Sequence, residues 1–314
     1  MGRLCTRPGA RRRFALSTAK REFEHYLIRE RGLSRRTHAR YWWIVERFLS
    51  DVSAGDVLVV KAIRAETIIR FILRGVRRSA GRTIQLEASA LRAFLRFLFL
   101  RGWIPIDLAR SVPTVPNRSG ATLPRYLPAE QVEQLVRSCN RHTAIGRRDY
   151  AILLLLARLG LRGREVIKLT LDDIDWRAGD LVVRGKGDIV HRLPLPHDVG
   201  RALATYLRRE RQKETRFIFV PVRNPRSGFK DGQAINEIVH QALKRARLEM
   251  PTKGVGAHVL RHSLATTMLR RGASLNEIGQ ILRHRSVNTT AIYAKVDIEG
   301  LRSIARPWPI EEQL

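Results

Sequence analysis

Residues 173 to 196 read DIDWRAGDLVVRGKGDIVHRLPLP, alternating apolar and polar side chains around two glycine-bearing turns, RAGD and GKGD. Alternation at a period of two with tight punctuation is the pattern of a small antiparallel sheet. On both sides the apolar spacing is helical instead. Upstream, PAEQVEQLVRSC begins a helix with Pro128 just inside it, and RRDYAILLLLARLGL is a buried helix ending near Gly160. Downstream, helical patterns run at about 199–213, 233–248, 258–271, 275–282 and 288–295. The fourth of these opens with a capping box, Ser274 followed by Glu277. The expected fold is therefore mainly α with a small antiparallel β-sheet.

Nearer the N-terminus the strand pattern is absent. Four helical patterns, roughly Thr18 to Arg31, Arg36 to Ser50, Ala65 to Leu73 and Arg82 to Arg101, are separated by RGLS, DVSAGD and RRSAGR. That spacing predicts a four-helix bundle. Residues 109 to 128 carry four prolines and no helical period, which reads as an extended linker. The division this implies is a basic tail over 1–15, a helical domain over 16–108, a linker over 109–123, a second α+β domain over 124–306 and a tail over 307–314. No internal repeat is visible.

A net charge of +30 and a pI near 11.5 point to a polyanionic partner. Residues 1–110 hold 24 Lys and Arg against 9 Asp and Glu, a net of +15, so half of the charge lies in about a third of the chain. A membrane partner is disfavoured, because the longest apolar runs, AILLLLA and FLRFLFL, fall far short of the roughly 20 residues a span needs. MGRLCTRPGARRRF has no apolar stretch after its arginines, which excludes a secretory signal. Cys5 and Cys139 alone suit a reducing compartment and supply neither a disulfide framework nor a zinc cluster. The expected location is cytoplasmic. Trp42 and Trp43 adjoin on one helical pattern, which puts at least one in the core and gives no stacking platform for single strands.

The stretch HVLRHS, residues 258–263, places His258 and His262 on one helix face at i, i+4, a metal-ligand spacing. Arg261 favours the other reading. It cannot ligate a metal, and with His258 it offers donors to a phosphate. A lone tyrosine such as Tyr293 in TTAIYAKV is ordinarily a core or boundary residue, and a lysine such as Lys186 between two glycines is ordinarily a solvated turn residue. Their order alters that reading: Arg162 in LGLRGREV, Lys186 in RGKGD, His258 and Arg261 in HVLRH, His284 in LRHRS, then Tyr293 nine residues on. The set resembles the tyrosine recombinase family, the phage integrases and their relatives, whose pattern is Arg, Lys, His-x-x-Arg, His and Tyr. The motif match covers residues 124 to about 306, while the N-terminal helices resemble the family's core-binding domain in shape and charge only.

The resemblance implies a two-domain clamp on double-stranded DNA and strand cleavage through a 3′-phosphotyrosyl bond, with no cofactor, metal or ATP. Arg162 and Arg261 would clamp the phosphate oxygens, His258 and His284 would add hydrogen bonds, and His258 would also be a candidate to take the tyrosyl proton. Tyr293 would be the nucleophile and Lys186 the acid that protonates the leaving 5′ oxygen. His262 would cap or pack. Glu165, one turn after Arg162, reads either as a carboxylate orienting an arginine or as a plain surface group. Family practice further implies a homo- or hetero-tetramer on paired sites, with an apolar pattern at Ile298, Leu301 and Ile304 for docking on a neighbour. Strong basicity and the string LRSIARPWP look most like the integrases of bacterial transposable elements.

Two departures stand out. Arg283 occupies a position where the family often has glycine, so the backbone before His284 is expected to differ. Ile189 stands where a basic residue often follows the hairpin lysine, with Arg192 a possible substitute. A type IB topoisomerase and a non-catalytic DNA-binding regulator are the competing readings.

Overall fold

The computed structural model describes residues 13–78, 81–116, 124–185, 189–210, 215–222, 227–249, 256–284 and 286–294. The chain divides into two compact units, Met1–Thr122 and Leu123–Leu314. Most described residues are helical, and each unit carries one three-stranded antiparallel sheet.

In the first unit, β1 (Arg13–Ala15) leads into α1 (Leu16–His25), whose last turn widens into a π-turn over Tyr26–Glu30. There follow α2 (Arg35–Leu49), β2 (Ser53–Ala54), β3 (Val57–Val59), α3 (Ala65–Arg78) and α4 (Gly81–Leu100). Ser34 caps α2, its hydroxyl accepting from the Thr37 amide at 3.2 Å. One face of α2 buries Trp42, Val45, Phe48 and Leu49, while Trp43 is 57% exposed beneath the Arg47 guanidinium. Phe94 and Phe97 of α4 meet Phe23 and Tyr26 in one aromatic cluster. Each such buried ring contributes about 1.5–3 kcal/mol.

The four expected helices are present. The DVSAGD stretch, however, is a hairpin and not a plain separator. Its strands pair as β1-β3-β2 around Gly55, which sits at φ +58°. Strands of two and three residues show no alternation, so their pairing was hidden in the sequence.

The second unit is built on α6 (Ala144–Leu159), buried nearly all round from Ala151 to Leu156. Its neighbours are α5 (Ala129–Arg137), α7 (Gly163–Lys168), the sheet of β4 (Ile174–Asp175), β5 (Asp180–Arg184) and β6 (Val190–Pro194), then α8 (His197–Glu210), α9 (Gln233–Arg245) and α10 (Ala257–Arg270). The sheet runs β4-β5-β6, antiparallel throughout, with Leu181 opposite Leu193 and Arg184 opposite Val190. Pro128 caps α5 from just outside it, not from within its first turn.

A smaller apolar cluster closes this unit. It joins Ala265 of α10, Ile278 of α11 (Leu275–Ile281), Leu282 and Tyr293. The Ser274–Glu277 capping box of α11 is formed. The last helix among the described residues, α12 (Val287–Thr290), ends earlier than the expected 288–295. After Thr290 the bonds tighten to i+3, Tyr293 amide to Thr290 carbonyl and Ala294 amide to Ala291 carbonyl, so Tyr293 sits on a turn. No helix among the described residues is long and apolar enough to cross a membrane.

Candidate active site

Helix α6 ends on Gly160, whose φ of +56° is the left-handed stop a glycine supplies without strain. A side chain there would also collide, its Cβ falling 2.7 Å from Leu282 Cδ2. This close approach brings the end of α6 against α10 and α11. Arg261, on α10 and 3% exposed, ties the corner together by donating from Nη1 to the Gly160 carbonyl and from Nη2 to the Leu282 carbonyl.

Arg162 follows two residues after Gly160 and begins α7. Its backbone amide donates to Glu165 Oε2 at 2.9 Å and its Nη1 to Glu165 Oε1 at 2.7 Å. Glu165 is buried, which pushes its carboxyl upward, but the Arg162 amide and the Arg283 and Arg162 charges outweigh burial and hold it below the usual range. It remains an anion. The sequence left Glu165 open between orienting an arginine and sitting on the surface; it binds two arginines, since Arg283 Nη2 donates to Oε2 at 3.2 Å.

Arg283 has φ +55°. Its amide donates to Gln280 and that of His284 to Gly279, the paired bonds of a Schellman stop on α11. The backbone before His284 thus takes the conformation glycine favours, and the expected departure is absent. The arginine side chain compensates for the left-handed backbone by donating to Ile281, Leu159 and Glu165.

His284 is oriented by Thr290, the second threonine of the TTAIY string, through a 2.8 Å bond between Nδ1 and Oγ1. Thr290 is buried against Gly279, where a Cβ would lie 3.0 Å from its hydroxyl. Tyr293 lies between two histidines. The His284 ring is parallel to the phenol within 6° at 6.4 Å, and the His262 ring meets it edge-on with Nδ1 at 2.8 Å from the hydroxyl.

The sequence expected His262 to cap or pack and offered His258 for the tyrosyl proton. In the structure the histidine bonded to the Tyr293 hydroxyl is His262, and His258 is exposed one turn earlier, its ring 6.4 Å from that of His262. Among the described residues no group of three His, Cys, Asp or Glu is placed to hold a metal ion.

Tyr293, His262, His284 and Arg261 also titrate away from their ordinary ranges. Burial pushes the Tyr293 phenol up to about 12, against the pull of Arg261 and Arg162. Burial, reinforced by His258 and Arg261, brings His262 down to about 4, and burial with Arg261 and Arg162 does the same to His284. Arg261 is lowered to about 9 by burial and by the Arg162 and Arg283 charges, and so stays protonated at neutral pH. The result is a neutral phenol between two neutral imidazoles, within the field of two guanidinium groups. That arrangement suits an anion approaching the hydroxyl.

Of the sequence candidates, Arg162, Arg261, His284 and Tyr293 converge here, with His258 at the rim. Lys186 lies outside the described residues. Arg192 is exposed and paired with Asp180 at 3.2 Å. Sequence reasoning gave Thr290 no role and His262 only a capping or packing one; only the repeated threonine before the tyrosine and the second histidine of HVLRH hinted at their places here.

Comparison with known proteins bears on this geometry. Residues 125–299 match the model of the phage integrase family, and residues 21–102 match its N-terminal SAM-like domain. A putative integrase/recombinase, y4rA, of Sinorhizobium fredii is 46% identical over 292 residues, covering 93% of this chain and 71% of its own. The tyrosine recombinase XerD of Listeria innocua is 30% identical, with 90% and 95% covered. Two solved structures share the fold at low identity. One is the XerH recombinase bound to a palindromic difH substrate (TM-score 0.70, 21% identity, 85% of this chain and 78% of that one). The other is a lambda integrase dimer bound to a COC′ core site (TM-score 0.68, 17% identity, 96% and 81%).

Proposed function

The chain belongs to the phage integrase family of tyrosine recombinases, and we propose that its site-specific cleavage and rejoining of DNA is carried by Arg162, Lys186, His258, Arg261, His284 and Tyr293. Tyr293 is the nucleophile. Its oxygen attacks phosphorus, a phosphotyrosyl bond to the 3′ side forms, the bond to the 5′ oxygen breaks, and a 5′-hydroxyl departs. Arg162 presents the guanidinium edge that Glu165 leaves uncovered, and together with Arg261 stabilises the charge that builds on the non-bridging oxygens. His258 and His284 donate to the same oxygens. Lys186 protonates the leaving oxygen. Because the covalent bond retains the phosphodiester energy, rejoining is the reverse attack by a 5′-hydroxyl.

The supporting observation is the Tyr293 hydroxyl, 1% of whose residue is exposed, held between two histidines in the field of two arginines. The functional division follows the sequence boundaries, with residues 16–108 as a core-binding DNA domain and 124–306 as the catalytic domain. Double-stranded DNA is the substrate. The working assembly is a tetramer on paired sites, by analogy with the lambda integrase tetramer bound to a Holliday junction. Its place is the cytoplasm, on a mobile element. The test is a nicked duplex that traps covalent protein. Tyr293→Phe should abolish the adduct while DNA affinity and melting temperature stay at wild-type values, and an adduct mapped to Tyr150 or Tyr206 overturns the assignment.

A further inference from the structure

We propose that His262 is the group that takes the proton from Tyr293 as it attacks phosphorus and returns it when the strand is rejoined. The inference rests on the reading of Tyr293 as nucleophile. It starts from the 2.8 Å bond between His262 Nδ1 and the Tyr293 hydroxyl. Its direction follows from the two protonation states. A phenol raised to about 12 keeps its hydrogen, and an imidazole lowered to about 4 is neutral, with one bare nitrogen. The phenol therefore donates, Nδ1 accepts, and the imidazole hydrogen is on Nε2.

No other described side chain is bonded to this hydroxyl. His284 has its Nδ1 engaged with Thr290, and its ring lies parallel to the phenol, so neither ring nitrogen points along the O–H bond. His258 is exposed on the first turn of α10, where it can meet a phosphate. Helix α10 thus divides the work between positions one turn apart, His258 toward the phosphate and His262 toward the nucleophile.

The tyrosyl oxygen forms its bond to phosphorus while its proton passes to Nδ1, and the bond to the 5′ oxygen breaks with protonation from Lys186. In the resting enzyme transfer from phenol to imidazole is uphill. It becomes favourable only as the oxygen turns into a phosphoester and loses its affinity for a proton, which couples deprotonation to attack. On rejoining, Nδ1–H returns the proton to the departing phenolate.

The experiment measures covalent complex on the nicked duplex at saturating protein, for wild type, His262→Ala, His262→Asn and Tyr293→Phe. His262→Ala should bind DNA normally, cleave about a hundredfold more slowly, the lower range for loss of a general base, and speed up with added imidazole. His262→Asn places an amide oxygen near Nδ1 that accepts a hydrogen bond and takes no proton, and it should remain slow. Wild-type cleavage by the asparagine variant would reduce His262 to a positioning residue and overturn the proposal. So would an alanine variant as fast as or faster than wild type, or a slow one deaf to imidazole. If the alanine variant does not fold, the asparagine variant decides by rate alone. An adduct on Tyr293→Phe would overturn the nucleophile assignment itself, whereas a dead Tyr293→Phe beside a fully active His262→Asn removes only this inference.

Discussion

Two histidines held at about 4 make the folded protein refuse protons that its unfolded chain accepts. Burial is the main cause at His262 and His284, with the Arg261 charge adding to both. Between the ordinary histidine value of about 6.5 and about 4 the unfolded state binds more protons, so stability falls as pH falls through that window. The unfolding free energy from urea titration should drop between pH 7.5 and pH 5, by under about 1.4 kcal/mol per unit for each histidine, because both are partly exposed. Replacing His284 by asparagine should flatten the slope, and an unchanged slope would show that burial at this site is incomplete. Glu165, depressed in pKa, contributes stability that is fully present above its ordinary value of about 4.5 and is lost as pH falls from there, at the acid end of this window and below it. Arg283 allows a second residue-level test. Arg283→Ala loses the bonds to Glu165 and Leu159 and keeps the left-handed backbone; Arg283→Gly loses the same bonds and relieves the backbone. The glycine variant should therefore be more stable than the alanine variant by about 1 kcal/mol in urea unfolding. Equal midpoints would mean that the turn carries no strain. Each site type was legible in the sequence because an arginine, a histidine or a tyrosine at fixed spacing implies its own chemistry. The roles of Thr290 and His262 were not, since the direction of a ring or a hydroxyl is decided by packing from another element.

The stop of α6 is the element on which the site turns. A Cβ on Gly160 would lie 2.7 Å from Leu282 Cδ2, closer than Cβ contacts come, and a tight 3.1 Å from Leu264 Cδ2, and the Gly160 carbonyl receives both Arg261 and Arg283. Gly160→Ala adds about 1–2 kcal/mol of left-handed strain and about 1–3 kcal/mol of overpacking. It should lower the unfolding free energy in urea by that sum and slow covalent cleavage even at temperatures where the variant is folded. Wild-type cleavage by the folded variant would mean that this corner does not place the arginines. The helix and its stop were legible because sixteen residues of helical period followed by glycine leave little choice. Short elements were not. β2 and β3 are too brief to show a period, and the turn bearing Tyr293 follows a helix of only four residues, whose end nothing in TTAIYAKV marks.

At the scale of the whole molecule, charge was the most legible property, because it needs no geometry. Half of the net +30 lies in residues 1–110, and on α2 it forms an exposed face, with Arg36 and Arg40 preceding Trp43 one helical turn at a time. The apolar face of the same helix is fully used in the core, so the outward arginines are not needed for folding. Phosphate contacts made this way release counterions, each adding about 0.9 to the slope of log affinity against log salt. Binding of the full chain to a duplex of about 30 base pairs should therefore weaken steeply with salt, on cognate and random sequences alike. Arg36→Ala with Arg40→Ala should lower that slope by up to about 2 and leave the ratio of cognate to random affinity unchanged, because phosphates carry no sequence information. A double variant that keeps both the wild-type slope and the wild-type discrimination would remove α2 from the DNA-binding surface. One that keeps the slope but loses discrimination would assign those arginines to base edges instead.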